Sequence, residues 1–242
     1  MLGGLDQLSY DGFHWSEADV IRKRVHPIAF AAFAVLLVPG FVLVLAAGTT
    51  QKTVKAKASV AVVDDAPPNK SLGSRTAPIT VEVFSDYECP ACRVLYTETL
   101  RPLMDDYVAT GKVYLVHRDF PLPMHRFSRE AARLVNAAAK LGKFEKAEAA
   151  VYAKQTSWEK DGNLDAALAT ALTPAELKRV KEIAQSGKMD PFIESDVALG
   201  NSKQVHQTPS VFVTHAGLTE ALPPGGVSYR ILKQYLDEKL GR

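Results

Sequence analysis

The two cysteines of this 242-residue chain, Cys89 and Cys92, directly follow a segment with the alternation of a β-strand. That segment, residues 79–84, reads Ile-Thr-Val-Glu-Val-Phe, and a sequence with helical spacing of leucines follows the second cysteine. A Cys-x-x-Cys pair between a strand and a helix is typical of a redox-active dithiol. The motif therefore predicts a strand–turn–helix with the dithiol at its turn.

Other uses of this cysteine pair agree less well with its spacing. A structural disulfide between Cys89 and Cys92 would close a very short loop, so its entropic stabilisation would be small. A mixed metal site with His206 or His215 is a second alternative, although a closed structural zinc site takes four ligands. The net charge of +2 and the lack of a long basic block do not indicate a nucleic-acid partner.

A second strand is predicted at residues 113–120, which are apolar at first and then polar. Between the two strands, a rough apolar stripe predicts a helix from Cys92 to about Val108. Pro102 predicts a kink in this helix, and Gly111 predicts its end. A strand, a helix and a second strand in this order form a βαβ unit, so the two strands are expected to pair in parallel.

Residues 125–200 have a helical pattern almost throughout. Within them, the segment 173–176, Thr-Pro-Ala-Glu, combines an N-cap residue, a first-turn proline and a capping-box glutamate. Three aromatic residues of this block, Phe144, Tyr152 and Trp158, are predicted to be buried. The block predicts a helical insertion between two sheet segments.

After this block the pattern returns to that of a sheet. Thr208-Pro209 marks the start of the next predicted strand, which continues through residues 210–213. Proline cannot donate a ladder hydrogen bond and therefore lies at a strand's start or edge. X-Pro bonds are also the peptide bonds in which the cis form has a low free-energy cost. A turn at residues 215–217 predicts a hairpin with residues 218–222, and residues 227–240 predict a closing amphipathic helix.

An uncharged run, Ile28 to Ala47, precedes all of these elements. A helix of about 20 apolar residues spans the ~30 Å hydrocarbon core of a bilayer. Arg22-Lys23-Arg24 precedes the run, and the positive-inside rule then places the N-terminus in the cytoplasm. A cleaved signal peptide is the alternative, with Val44-Leu45-Ala46 as its small-residue cleavage site.

These patterns divide the chain into four parts. We expect a cytoplasmic tail at residues 1–27, a transmembrane anchor at residues 28–47, a linker at residues 48–74 and a folded α/β domain at residues 75–242. The linker assignment rests on a composition rich in threonine, lysine, serine, proline and glycine. The predicted location is the inner membrane, with one span and the folded domain on the extracytoplasmic side.

Three segments carry a resemblance to a known family: Phe84-Ser85-Asp86-Tyr87-Glu88-Cys89-Pro90-Ala91-Cys92, Arg118-Asp119-Phe120-Pro121-Leu122 with His125, and Gln207-Thr208-Pro209-Ser210-Val211-Phe212-Val213. From about Gly73 to its end, the chain resembles the DsbA-like branch of the thioredoxin superfamily, in its membrane-anchored form. The resemblance implies a thioredoxin fold of the α/β class, with the helical insertion between the βαβ half and the cis-proline hairpin–helix half, preceded by one transmembrane helix.

The resemblance also implies a protein thiol–disulfide oxidoreductase that needs no cofactor and holds no metal. Cys89 is implied to be the exposed nucleophile, and Cys92 the buried resolving cysteine. Glu82 would match the superfamily's buried acidic residue on the strand before the dithiol, where it would relay a proton to or from Cys92. A solvent-facing Glu82 is the other interpretation of its position in the strand.

The substrate-binding wall of the site is implied in the same way. Pro209 would be a cis-proline that faces the dithiol, and Thr208 would offer its backbone to an extended substrate peptide, next to Pro90 and Ala91. The implied partners are cysteine-containing exported proteins and a membrane redox partner that recycles the dithiol. We expect a monomer, because no dimerisation domain is visible in the sequence.

The direction of electron flow is left open by the dipeptide Pro90-Ala91. A helix N-terminus favours the Cys89 thiolate, which is the attacking species in disulfide exchange. Ala91 adds no charge and the adjacent Glu88 is acidic, so a moderately lowered pKa is expected for Cys89. We favour an oxidase, with a reductase or isomerase as the alternative.

A membrane-anchored metallochaperone is an alternative from another class. Cys89 and Cys92 would then hold copper together with a histidine, although copper-delivery proteins of the thioredoxin fold more usually resemble a Cys-x-x-x-Cys pattern. His117 and His125 are either accessories of the dithiol, or helix caps and surface residues.

Overall fold

The computed structural model describes residues 67–242. The predicted cytoplasmic tail and the predicted anchor, residues 28–47, lie outside the described residues and stay predictions. Within residues 67–242, no helix has the length and the apolar character needed to cross a membrane.

A mixed sheet forms the centre of the described domain. Its strands are β1 (Ser71–Leu72), β2 (Ile79–Ser85), β3 (Val113–Asp119), β4 (Ser210–His215) and β5 (Leu218–Ala221). They lie in the order β1-β3-β2-β4-β5, with β2 and β3 parallel and the other neighbours antiparallel. The parallel pair confirms the predicted βαβ unit, and the β4–β5 pair confirms the predicted hairpin.

The crossover between β2 and β3 is one helical stretch with two wider turns. It consists of α1 (Pro90–Leu95), a π-helical turn (Tyr96–Leu100), α2 (Arg101–Leu103) and a second π-helical turn (Met104–Val108). Pro102 lies between the two wider turns. Proline has no N–H to donate to the preceding turn, and π-helical turns are one way in which a helix accommodates such an interruption.

Six helices form the insertion between β3 and β4. They are α3 (Ser128–Lys140), α4 (Phe144–Ala153), α5 (Gln155–Asp161), α6 (Leu164–Leu168), α7 (Pro174–Gln185) and α8 (Asp190–Ser202). Thr173 caps α7 through the predicted capping box with Glu176. Phe144, Tyr152 and Trp158 are buried as predicted. After the hairpin, α9 (Tyr229–Lys239) closes the domain.

The two faces of the sheet carry separate hydrophobic clusters. The larger one contains both cysteines together with Ile79, Val81 and Val83 of β2. The smaller one contains Phe84 and lies on the opposite face, because successive side chains of a strand alternate. On that side α8 packs closely, since a Cβ at Gly200 would lie 2.6 Å from a ring carbon of Phe120.

The N-terminal boundary of the domain differs from the predicted one. The predicted linker extends to residue 74, yet Ser71 and Leu72 pair with Val116 and Leu115 at the edge of the sheet. Lys70 is buried with 7% of its surface exposed, because two carboxylates bind its ammonium group. Composition could not identify this strand, since its two residues are too few to form a pattern.

Candidate active site

Cys89 and Cys92 lie at the start of the crossover helix. Cys89 has an extended backbone and is the N-cap residue of α1, with Pro90 as the first helical residue. Its carbonyl oxygen accepts the first backbone hydrogen bonds of the helix, from the N–H groups of Cys92 (3.1 Å) and Arg93 (3.2 Å). Proline fits the first helical position because its missing N–H would have no partner there. The predicted strand–turn–helix with a dithiol at its turn is therefore present.

The two thiols have opposite pKa shifts. A hydrogen bond from Cys92 lowers the pKa of Cys89 to about 5, with further help from Thr208 and the first backbone N–H groups of the helix. Burial raises the pKa of Cys92 well above its usual value. Cys89 exposes 7% of its surface and Cys92 1%, so Cys89 is the more accessible thiol but is less open than an exposed nucleophile. At neutral pH the pair holds one thiolate on Cys89 and one proton on Cys92.

We predict that alkylation of Cys89 in the reduced chain follows a titration curve with a midpoint near pH 5. Iodoacetamide reacts with the thiolate, and the buried Cys92 is protected from it, so the rate reports the ionisation of Cys89. In the Cys92→Ala variant the stabilising hydrogen bond is lost, and the midpoint is expected to rise by about one unit or more. A midpoint at pH 8 or above in the unmodified chain would contradict this prediction.

The opposite wall of the site comes from the start of β4. The Thr208–Pro209 peptide bond is cis, and the Cys89 sulfur lies 3.5 Å from the carbonyl oxygen of Thr208. Thr208 and Pro209 are buried, whereas Pro90 and Ala91 are exposed. The structure thus places the Thr208 carbonyl oxygen against the Cys89 sulfur, and Pro90 and Ala91 directly follow Cys89 at the exposed start of α1.

Asp86, for which no role is predicted from the sequence, connects the dithiol to the loop that follows β3. Its backbone N–H donates to the Cys92 sulfur at 3.4 Å, and its carbonyl oxygen accepts from the Cys89 N–H at 3.1 Å. Its carboxylate accepts hydrogen bonds from the Leu122 N–H and from His125, each at 2.7 Å. Burial alone would lower the pKa of His125, but the bond with Asp86 outweighs it and raises that pKa.

The helical insertion also holds the active-site turn. The side-chain amide of Gln155, which is fully buried at the start of α5, donates to the carbonyl oxygens of Tyr87 (2.7 Å) and Cys89 (3.0 Å). Its amide oxygen accepts from the Arg93 side chain at 3.1 Å. The Glu88 carboxylate accepts a hydrogen bond from the Phe127 N–H, just before α3, at 2.6 Å. The acidic neighbour expected to oppose the Cys89 thiolate is thus engaged elsewhere.

The structure does not bring Glu82 together with the cysteines, so the predicted relay to Cys92 is wrong. The strand alternation places Glu82 on the face of Phe84, opposite to the cluster that contains the dithiol. Its carboxylate binds Arg118 at 2.8 Å and Lys203 at 2.7 Å. Burial would raise the pKa of Glu82, but these two cations outweigh it and lower that pKa. Glu82 is half-buried and has a structural role in this ion cluster.

The sequence profile of the thioredoxin family matches residues 65–232 of this chain. The chain belongs to the thioredoxin family.

Two curated proteins of known name are similar in sequence to this thioredoxin-family chain. Probable disulfide bond formation protein D of Bacillus cereus is 42% identical over 52 residues, which are 22% of this chain and 24% of that protein. Disulfide bond formation protein D of Bacillus subtilis is 25% identical over 151 residues, which are 59% of this chain and 66% of that protein. The matches thus span less than two thirds of either relative.

Solved structures with the same thioredoxin fold include BdbD of Bacillus subtilis in its oxidised form. That structure has a TM-score of 0.61 and 23% identity, and the match covers 73% of this chain and 97% of that one. A thioredoxin-like oxidoreductase of Silicibacter pomeroyi has a TM-score of 0.58 and 28% identity, covering 74% of this chain and 95% of that one. The predicted DsbA-like thioredoxin fold with a helical insertion is confirmed.

Behind the dithiol, the thioredoxin domain contains a buried chain of charges. His117, which is neither a cap nor a surface residue, lies on β3 with 5% of its surface exposed. Its Nδ1 lies 3.0 Å from Glu148 of α4, and its Nε2 lies 3.4 Å from Asp119. Burial would lower the pKa of His117, but the two carboxylates raise it to about 9. His117 is therefore an imidazolium at neutral pH. The ring of Tyr87, in the active-site turn, stacks on the His117 ring with the two centroids 5.0 Å apart.

We predict that this imidazolium makes the domain less stable at alkaline pH. The pKa of His117 is about 9 in the folded state and about 6.5 unfolded, so its contribution is complete below pH 6.5 and is lost as the pH rises through 9. The free energy of unfolding is expected to fall by about 3 kcal/mol over this interval. Denaturant unfolding should be measured on the oxidised protein, in which Cys89 does not titrate.

The matched control for this prediction is the His117→Gln variant, which cannot gain or lose a proton at this position. Other titrating groups, including His125, remain in both proteins, so the difference between the two pH profiles isolates His117. The variant is expected to lack the part of the decline between pH 6.5 and 9 that His117 contributes. Parallel pH profiles in the two proteins would contradict the prediction.

Proposed function

We propose that this chain is an extracytoplasmic thiol–disulfide oxidoreductase that exchanges disulfides with exported proteins through Cys89 and Cys92. The observation that carries the proposal is the division of roles within the dithiol. Cys89 has a pKa of about 5 at a helix N-terminus, opposite Thr208-Pro209, and Cys92 keeps its proton in the interior. A low pKa and a partly accessible sulfur are the properties of a nucleophilic rather than a structural cysteine.

The proposed direction of the reaction is oxidation of the substrate. A lowered pKa stabilises the reduced form of the dithiol and makes its disulfide a better oxidant. Two relatives whose names state disulfide bond formation support this direction. In the proposed cycle a substrate thiolate attacks Cys89, Cys92 leaves as a thiolate, and a second substrate thiolate then attacks the substrate sulfur of the mixed disulfide. The substrate leaves oxidised, and the chain is left with a reduced dithiol.

The location and partners are part of the same proposal. Residues 28–47 anchor the chain in the inner membrane, with the N-terminus in the cytoplasm and the dithiol outside, where protein disulfides form and persist. The substrates are cysteine-containing exported proteins. A membrane redox partner reoxidises the dithiol after each cycle, and the chain acts as a monomer.

The proposal is tested with the oxidised full-length chain in detergent and a reduced peptide that contains two cysteines. Each chain is expected to oxidise one peptide, with the appearance of two thiols on the protein. Thiol trapping in intact cells then reports the direction: an oxidase is held mostly as the disulfide, and a reductase or isomerase mostly as the dithiol. Tight copper(I) binding without any peptide oxidation would instead support a metallochaperone.

A further inference from the structure

A pair of buried hydroxyl groups lies behind Cys92. The hydroxyls of Ser85 and Tyr152 are 2.7 Å apart, although the two residues are separated by 67 positions in the chain. Ser85 is the last residue of β2 and exposes 4% of its surface, and Tyr152 comes from α4 of the helical insertion and exposes 1%. The Ser85 hydroxyl acts on the Cys92 thiol to lower its pKa, and the N–H of the next residue, Asp86, donates a hydrogen bond to the Cys92 sulfur at 3.4 Å.

We propose that Ser85 is a catalytic residue that stabilises the Cys92 thiolate as it leaves, and that Tyr152 is the positioning residue that orients the Ser85 hydroxyl. This inference rests on the proposed function and deepens it. Either hydroxyl of this pair can be the donor of the hydrogen bond between Ser85 and Tyr152. When Cys92 is a thiolate, Tyr152 donates to Ser85 and Ser85 donates to the sulfur.

The chemistry of disulfide exchange requires such a donor. In the oxidising direction the substrate thiolate forms a bond to the Cys89 sulfur, the Cys89–Cys92 bond breaks, and its electron pair leaves on the Cys92 sulfur. The substrate sulfur is oxidised, Cys92 is reduced, and no proton is transferred in this step. A leaving thiol departs faster when its pKa is lower, yet burial acts against the Cys92 thiolate. Donors that point at this sulfur therefore accelerate the step.

The surroundings of Tyr152 hold its hydroxyl in the role of a donor. Its ring stacks on the Tyr96 ring, with the two ring centroids 4.8 Å apart, and its centroid lies 5.2 Å from that of Tyr87. These ring contacts restrict the position of the Tyr152 hydroxyl. Burial raises the pKa of Tyr152 well above its usual value, so the phenol keeps its proton throughout the cycle. The backbone of Ser85 is held as well, because its carbonyl oxygen accepts from the Phe120 N–H at 2.8 Å.

The test measures how fast dithiothreitol reduces the Cys89–Cys92 disulfide of the full-length chain. A hydrogen bond to a charged group affects an equilibrium or a rate by roughly tenfold or more, so Ser85→Ala is expected to be about 10-fold slower than the unmodified chain. Tyr152→Phe keeps the ring and loses only the orienting hydroxyl, so about a threefold decrease is expected. Ser85→Thr keeps a hydroxyl and is expected to restore most of the rate.

A second measurement separates this role from a merely structural one. In a Cys89→Ser background, the thiolate absorbance of Cys92 is followed against pH, with and without Tyr152→Phe. A higher pKa of Cys92 in the Tyr152 variant is expected, which a loss of packing alone does not produce. Tyr96→Phe is the matched control, because it removes a hydroxyl from the same aromatic cluster without touching Ser85.

The outcomes are decisive in both directions. Slower reduction in the Ser85 and Tyr152 variants and a raised Cys92 pKa in Tyr152→Phe, with unchanged values in Tyr96→Phe, support the inference. Unchanged rates in both variants overturn it, and so does an equal decrease in the Tyr96 control. If Ser85→Ala does not fold, Tyr152→Phe decides alone. Failure of the unmodified chain to oxidise any cysteine peptide is a failure of the proposed function instead.

Discussion

Replacing Cys89 with serine is expected to reduce the oxidation of cysteine peptides to the rate without protein, and replacing Cys92 is expected to trap a mixed disulfide. Serine does not form a disulfide, so without Cys89 the chain has no Cys89–Cys92 disulfide for substrate thiolates to attack. Without Cys92 the lone Cys89 thiolate can still attack a disulfide of an exported protein, which forms a mixed disulfide and releases the other substrate sulfur as a thiolate. The mixed disulfide then accumulates, because Cys92 is missing as the internal thiol that would attack Cys89 and release the bound substrate.

Non-reducing gel electrophoresis of both variants in cells and in vitro checks this prediction. Bands of higher mass that disappear with dithiothreitol are expected for Cys92→Ser and are expected to be absent for the Cys89, Cys92 double variant. Thermal unfolding of each reduced variant provides the control for folding. Equal amounts of mixed disulfide with Cys89→Ser would contradict the assignment of Cys89 as the nucleophile. The buried Cys92 would then be the sulfur that reacts with substrates.

Replacing Asp119 with alanine is expected to destabilise the domain by about 3–5 kcal/mol. Asp119 exposes 1% of its surface and pairs with the buried Lys70, and it also accepts a hydrogen bond from Asn136 at 2.6 Å. Its removal leaves Lys70 and the His117 imidazolium with one carboxylate fewer in the interior. Breaking a buried ion pair by removing one partner has this large effect because the remaining charges stay buried with less compensation.

The loss of stability is measured by denaturant unfolding at neutral pH, where Asp119 is ionised because Lys70 and His117 hold its pKa well below the usual range despite burial. Asp105→Ala is the matched control, since Asp105 is exposed on the crossover helix. Its effect is expected to stay within about 0.5 kcal/mol. A loss below about 1 kcal/mol for Asp119→Ala would show that water compensates the remaining cations.

The prediction of the fold succeeded where patterns are local. Alternation along Ile79–Ser85, the capping box at Thr173 and the proline at the start of β4 each depend on residues within a few positions of one another. The same holds for the dithiol, because two cysteines at this spacing lie on one helical turn after a strand. Such patterns record preferences of the backbone and of adjacent side chains, and these are visible in the sequence.

The prediction of the site failed where an assignment needed the direction of a side chain. Glu82 lies on the predicted strand, but its carboxylate binds Arg118 and Lys203 on the face opposite the dithiol. Asp86 could have been found from the sequence, because it is an acidic residue within the motif before Cys89. Gln155 and Tyr152 carry no local signal, since their partners in the active-site turn lie more than 60 positions away.

The dithiol, the order of the elements and the thioredoxin fold can be recognised from the sequence of this protein. Which polar groups surround the dithiol depends on the three-dimensional packing, because those groups come from segments that are distant in the chain. Packing of the helical insertion places the Tyr152 hydroxyl against Ser85 and the Gln155 amide against the Cys89 carbonyl. Burial in that packing also separates the pKa values of Cys89 and Cys92, since the free energy of a charge depends on its three-dimensional surroundings.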